Sequence, residues 1–192
     1  MNKKELRIKY KALRQQLSFD EIEDKSLAIA NKMLQLDIWE KTYFHLFLTI
    51  EEQKEVETEF IIQVLAGKDK EIVVPKCNFD NCGMVNYLLT DNTKFQKNQH
   101  NIYEPVDGIE VPNNKIEVVF VPLLAFDKKG HRVGYGKGFY DAFLSKCNED
   151  VIKVGVSFFE PEERIDDVFE ADIRLDYCVT PTTNYVFRET FS

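Results

Sequence analysis

The sequence predicts an α/β protein with a largely parallel sheet covered by helices on both faces. Three observations lead there. Helical and strand-like apolar patterns alternate along most of the chain, the order expected when helices connect parallel strands. No internal repeat or low-complexity linker interrupts them, so residues 1–192 are expected to form one domain. Finally, an apolar run from Lys115 to Leu124 opens into a glycine-dense loop, and a helical pattern follows at once.

The elements follow in order. Leu6, Tyr10, Leu13 and Leu17 recur at helical steps, making residues 3–17 a one-sided helix. Ser18 with Glu21 matches a capping box, and the helix behind it turns Ile22, Ile29, Met33 and Leu36 inward. Thr42 to Leu48 is rich in aromatics and reads as a strand; Phe60, Ile61, Val64 and Leu65 mark a helix ending near Gly67. Glu71 to Val74 reads as a short strand stopped by Pro75, and Met84 to Leu89 as another. Residues 90–114 are polar and irregular, with turn signals at Pro105, Gly108 and Pro112. Lys115 to Leu124 is the central strand. Past the glycine loop, Phe139, Tyr140, Phe143, Leu144 and Cys147 fall at helical spacing; Val151 to Phe158 and Tyr177 to Val179 supply the last strands.

The chain carries 25 Lys and Arg against 33 Asp and Glu, a net charge of -8. A negative molecule makes a poor partner for nucleic acid. No run is long enough to cross a membrane, and the start is polar and helical rather than a signal core. Cys77, Cys82, Cys147 and Cys178 form no CxxC and no zinc spacing, so reduced thiols and a cytoplasmic location are expected.

Against that acidic background one loop is basic. Lys128, Lys129, Arg132 and Lys137 lie close together, and Gly134, Gly136 and Gly138 alternate with Tyr135 and Lys137. Glycine accepts positive φ and lets a ligand approach the main chain. Amides at a helix start have no intrahelical partner and attract anions. The spacing fits neither the Walker A loop nor the dinucleotide fingerprint. A small anionic ligand is the expected occupant.

Phe126-Asp127, Gly130 and the run from Arg132 to Asp141 closely resemble the signature of the 5-formyltetrahydrofolate cyclo-ligase family. Lys3 to Arg7, Glu55-Val56-Glu57-Thr58, Val73-Val74-Pro75 and the block from Ala171 to Thr180 are similar to further family segments, in the right order. The resemblance implies a three-layer α/β/α fold like that of the ribose-phosphate isomerase and CoA-transferase group. It also implies use of ATP and Mg²⁺ to convert 5-formyltetrahydrofolate into 5,10-methenyltetrahydrofolate.

Site roles follow from the resemblance. Gly134, Tyr135, Gly136, Gly138 and Tyr140 would hold the nucleotide, with Lys3, Lys4 and Arg7 completing its site from the first helix. Arg132 and Lys137 would neutralise the transferred phosphate, Lys137 being nearest it. Asp141 and Asp172 would ligate Mg²⁺, although Asp141 also suits the first turn of a helix and Asp172 a turn. Ile50, Glu57, Tyr135 and Phe139 would contact the folate. Phe139 also fits simple packing, and His131 reads as a turn residue. The expected protein is a monomer acting on a small molecule, with no nucleic-acid or membrane partner. Two other classes share the architecture: a binding module without turnover, and an isomerase or acyl-CoA transferase that ignores ATP.

Overall fold

The first two helices begin with reciprocal capping boxes. In α1 (Lys3–Gln15), Asn2 accepts from the Glu5 amide and the Glu5 carboxylate accepts from the Asn2 amide; Ser18 and Glu21 repeat the pattern at α2 (Phe19–Lys32). The computed structural model describes residues 1–189, which hold two further α-helices, α3 (Glu59–Gly67) and the short α4 (Phe139–Leu144). Eleven strands accompany them: β1 (Tyr43–Leu46), β2 (Glu71–Asn78), β3 (Gly83–Leu88), β4 (Phe95–Lys97), β5 (Tyr103–Pro105), β6 (Val118–Val121), β7 (Ala125–Phe126), β8 (Arg132–Val133), β9 (Ile152–Val156), β10 (Tyr177–Val179) and β11 (Asn184–Val186).

Seven strands form one mixed sheet in the order β11-β10-β9-β6-β1-β2-β3. The five central strands are parallel; β3 and β11 pair antiparallel at the two edges. Alternate side chains feed two cores. Phe44, Leu46, Val118, Phe120, Val154 and Val156 pack with Ile22 and Ile29 of α2 and Ile61 and Leu65 of α3. Val73, Val119, Val121 and Cys178 face the other way, against Phe143 and Leu144 of α4. Both faces are therefore covered, which is why all four residues of β6 are buried and apolar. A smaller cluster, with Leu6 and Tyr10 of α1, Leu124, Ala125, Val133 and Ile165, docks α1 on β7 and β8.

Three expectations need correction. Pro75 does not end its strand: β2 runs on to Asn78 paired with β3. Pairing with β1 stops at Val73, so the N–H that Pro75 lacks would have had no strand partner there. The central strand is shorter than residues 115–124, ending at Val121 before Pro122. The glycine loop consequently leaves not that strand but the β7–β8 hairpin, in which Ala125 pairs Val133 and Phe126 pairs Arg132. Residues 90–114 also hold more order than their composition suggests, since β4 and β5 form an antiparallel ribbon.

The hairpin turn is built around Asp127, which is fully buried. Its carboxylate accepts from the amides of Lys129 (2.9 Å), His131 (3.0 Å) and Ile165 (3.1 Å) and meets His131 Nδ1 at 3.2 Å. Gly130 turns the chain at φ +85°, where a Cβ would stand 2.8 Å from the Phe187 ring. Asp127→Ala strips three amides of their acceptor in a site water cannot reach. The expected loss is about 3 kcal/mol, read as a lower urea midpoint with unchanged slope.

Candidate active site

A cavity of about 570 Å³ opens where the parallel strands end. Phe47 and Leu48 follow β1 and Pro122 follows β6, and all three line it, as expected at the carboxyl ends of strands in an α/β sheet.

One part of the wall is the glycine loop. Gly136 (φ +90°) and Gly138 (φ +74°) hold left-handed backbone, and Gly138 caps α4. A Cβ on Gly136 would stand 3.3 Å from the Arg7 guanidinium carbon, and Arg7 Nε donates to the Gly134 carbonyl at 2.9 Å. The contact puts a cation from α1 against the loop. Lys3, also on α1, pairs with Asp172; Arg132 pairs with Asp141 at 2.9 Å. The two carboxylates are joined through the segment before β10. Arg132 donates to the Ile173 carbonyl, the Ile173 amide donates to Asp141 at 3.2 Å, and the Phe169 amide donates to Asp172 at 2.8 Å. Burial alone would raise the Asp172 pKa, but the Lys3 ammonium and the Phe169 amide outweigh it and hold the carboxyl below its usual value. Lys137 borders the cavity, exposed, and makes no ion pair among the described residues.

Among the described residues no three His, Cys, Asp or Glu side chains converge as a metal cage. A pair of carboxylates beside a phosphate cradle is what Mg²⁺ uses, with phosphate oxygens and water completing its shell. Asp141 and Asp172 fit that donor set.

The remaining wall is aromatic and apolar. Ile50, Phe79, Ile102, Tyr135 and Phe139 line it, and Phe79 bridges His100 (ring centroids 4.1 Å) to Phe139 (5.1 Å). Behind it lies a buried polar chain. Arg14 donates to the Tyr135 hydroxyl at 2.6 Å and to the Leu123 carbonyl at 2.5 Å; Tyr135 donates to Glu55 at 2.8 Å; the other Glu55 oxygen accepts from the Ile50 amide at 2.7 Å. Glu55 is 2% exposed and Arg14 5%. Burial raises the Glu55 pKa, and the Ile50 amide, Arg14 and Tyr135 only partly offset it. Tyr140 borders the cavity, and its enclosed hydroxyl, like Nδ1 of the fully buried His45 near it, has no hydrogen-bond partner among the described residues. Desolvation holds His45 neutral, at about 4.

The cavity brings together Lys3, Arg7, Ile50, Arg132, Gly134, Tyr135, Gly136, Lys137, Gly138, Phe139, Tyr140, Asp141 and Asp172. Two expected contacts lie elsewhere. Lys4 is exposed on α1, away from the cavity lining. Glu57 also lies outside the lining; its amide donates to Ser26 of α2, and its neighbours are Glu23 and Glu51. The carboxylate that reaches the cavity is Glu55, two residues earlier. Arg14 escaped the sequence reading too, although it sits four residues after Tyr10, on the buried stripe of α1.

A mixed-sheet α/β scaffold whose glycine loop, cations and carboxylates open into an aromatic-walled cavity at the strand ends has the build of an enzyme acting on a small molecule. The family is more specific: the chain belongs to the 5-formyltetrahydrofolate cyclo-ligase family, whose model matches residues 1–181. It is similar to the 5-formyltetrahydrofolate cyclo-ligase of Mus musculus, 31% identical over 153 residues covering 76% of this chain and 74% of that protein. The corresponding Haemophilus influenzae protein is 34% identical over 108 residues, covering 54% of this chain and 58% of that protein. Among solved structures, the 5,10-methenyltetrahydrofolate synthetase of Aquifex aeolicus superposes with TM-score 0.84 at 29% identity, covering 100% of this chain and 96% of that one.

The Glu57 pKa is raised by burial first and then by Glu23 and Glu51. Ionised Glu57 therefore costs stability above its folded pKa, and the cost fades as pH falls through it. Glu57→Gln is expected to stabilise by less than about 1 kcal/mol at neutral pH, a gain that disappears in acid. Glu55→Gln, which disturbs the Tyr135 and Ile50 bonds, is expected to lose about 2 kcal/mol; urea titrations at both pH values compare the two.

Proposed function

We propose that this chain uses ATP and Mg²⁺ to convert 5-formyltetrahydrofolate into 5,10-methenyltetrahydrofolate, releasing ADP and phosphate. One observation carries the reading: the glycine loop with its cations and an aromatic wall line the same cavity. Phosphoryl transfer to an organic acceptor requires both to be filled together, with their reacting atoms in line.

The formyl oxygen is a weak nucleophile and a worse leaving group. Attack on the γ-phosphorus, with ADP leaving, turns that oxygen into a phosphate ester. N10 then attacks the formyl carbon, phosphate departs with the C–O electron pair, and N10 loses its proton, leaving the methenyl bridge. None of this needs a protein nucleophile. Amides of the Gly134–Gly138 loop hold the phosphates, and Arg7 and Lys3 bring positive charge from α1. Arg132 fixes Asp141, and Lys137, at the loop and without an ion pair among the described residues, neutralises charge developing on the transferred group. Mg²⁺, when bound by Asp141 and Asp172, supplies further charge neutralisation at the phosphates. Ile50, Tyr135 and Phe139 form the folate surface, with Glu55 in the place first assigned to Glu57. No helix among the described residues is long and apolar enough to cross a membrane. A monomer in the cytoplasm, acting on a small molecule without nucleic acid, fits this reading.

The test follows methenyl absorbance with purified protein, 5-formyltetrahydrofolate, ATP and Mg²⁺. Product must require both ATP and metal; folate binding without turnover would instead support a binding module. Lys137→Ala is expected to lower kcat by about 100- to 1,000-fold, as when one group aimed at developing charge is removed, with folate KM little changed. Asp141→Asn should need far more Mg²⁺ for half-maximal rate. Glu57→Gln leaves folate KM unmoved.

A further inference from the structure

Three separate segments meet at the ring of Phe79, in the turn between β2 and β3. The ring packs on His100, in the turn between β4 and β5 (centroids 4.1 Å), and meets Phe139, the first residue of α4, edge to face (5.1 Å, planes 74° apart). All three rings line the cavity. From the same turn, the Cys82 thiol donates to the Lys137 carbonyl at 3.4 Å. By ring and thiol, the β2–β3 turn thus grips residues 137 and 139, on either side of Gly138.

Both partners in this grip depend on it for their position. The β4–β5 ribbon pairs as a sheet of its own, outside the seven-stranded sheet, and most residues of the two turns are exposed. Cys82 keeps left-handed backbone at φ +55°, which is costly for a residue with a side chain and persists only where contacts enforce it. The seat is soft as well. Gly136 and Gly138 flank Lys137 and give its backbone unusual freedom. A phosphate held by amides of this loop removes that freedom. It therefore fixes the Lys137 carbonyl and the Phe139 ring, the two points on which the turn rests.

We propose that Phe79 is a positioning residue: it latches the β2–β3 and β4–β5 turns onto the glycine loop, so that a filled phosphate site closes the aromatic side of the cavity around the folate. The proposal takes its two ligands from the cyclo-ligase reading and adds an energetic coupling between them. Such coupling is reciprocal, each ligand tightening the other by the same factor. A ring that only touched the folate would add the same affinity with the loop empty or filled. The ratio between those two states is what separates a latch from a piece of wall.

The experiment titrates 5-formyltetrahydrofolate by calorimetry with and without a non-hydrolysable ATP analogue and Mg²⁺, in the unaltered protein, Phe79→Ala and Phe79→Tyr. In the unaltered protein the analogue is expected to tighten folate by about 5- to 150-fold, the usual span for coupled sites. Phe79→Ala brings that ratio to within about twofold of one, whatever its folate affinity, while Phe79→Tyr, which keeps the ring, retains it. A ratio unmoved by Phe79→Ala, or near one in the unaltered protein, overturns the latch. Amide exchange over residues 78–83 and 98–102 gives a readout without folate. The analogue alone is expected to slow it in the unaltered protein and in Phe79→Tyr, a comparison that stands even if the alanine variant folds poorly. Exchange unmoved by bound analogue overturns the latch and leaves the cyclo-ligase reading intact. A protein that binds neither the analogue nor the folate overturns that reading and the latch with it.

Discussion

The carboxylate of Asp127 holds together the two chain segments that carry the acidic half of the site. It receives amides from its own hairpin turn and from Ile165, while backbone bonds join Phe126 and Lys128 to Glu162. The first segment leads through Arg132 and the glycine loop to Asp141. The second leads to Asp172 and Ile173. Arg132 then closes the circuit by binding Asp141 and the Ile173 carbonyl together. The links at Asp127 satisfy amides around a buried carboxylate, and those of Arg132 to Asp141 and Ile173 are part-buried. The spacing of the two carboxylates is in this sense a consequence of hydrogen-bond accounting some distance from either.

The parallel block was legible in the sequence because burial on both faces leaves a simple trace, apolar runs without alternation, separated by helical spacing. The glycine loop was legible because three glycines and a local excess of cations stand out in an acidic chain. Short elements were not. The β7–β8 hairpin has two residues on each side and the β11 edge strand only three, too few for any periodicity. Pro75 gave a true local signal, a missing donor, which tertiary context made harmless. Glu55 and Glu57 are the same residue type two positions apart, so pattern alone could not choose between them. Only the fold shows that the Glu55 carboxylate meets Tyr135, whereas Glu57 is tied to α2 through its backbone amide and lies outside the cavity lining. Arg14 carried a signal of position, the buried stripe of α1, that its charge disguised.

The cavity divides its charges by purpose. At the glycine-loop end, Lys3 and Arg132 are already paired with Asp172 and Asp141, while Lys137 makes no ion pair among the described residues. Net charge is thereby kept low at this end of the cavity in a chain whose overall charge is negative. At the other end, Arg14 neutralises Glu55 from behind the wall and leaves the surface itself aromatic. An apolar face backed by a satisfied polar chain is stiff without being sticky.

Arg7 lies 127 residues before the Gly134 carbonyl it binds, and α1 contributes Leu6, Tyr10 and the partly buried Leu13 to the small cluster that seats it. So long-range a contact depends on polar bonds from α1, among them those of Lys3 and Arg14, as much as on apolar surface. Excursions that release the first helix unmake the phosphate end while the seven-stranded sheet stays intact. Hydrogen exchange in the helix and the glycine loop then reports one shared event, and the energy of that event sets an upper limit on how far the site can be loosened to admit or discharge its contents.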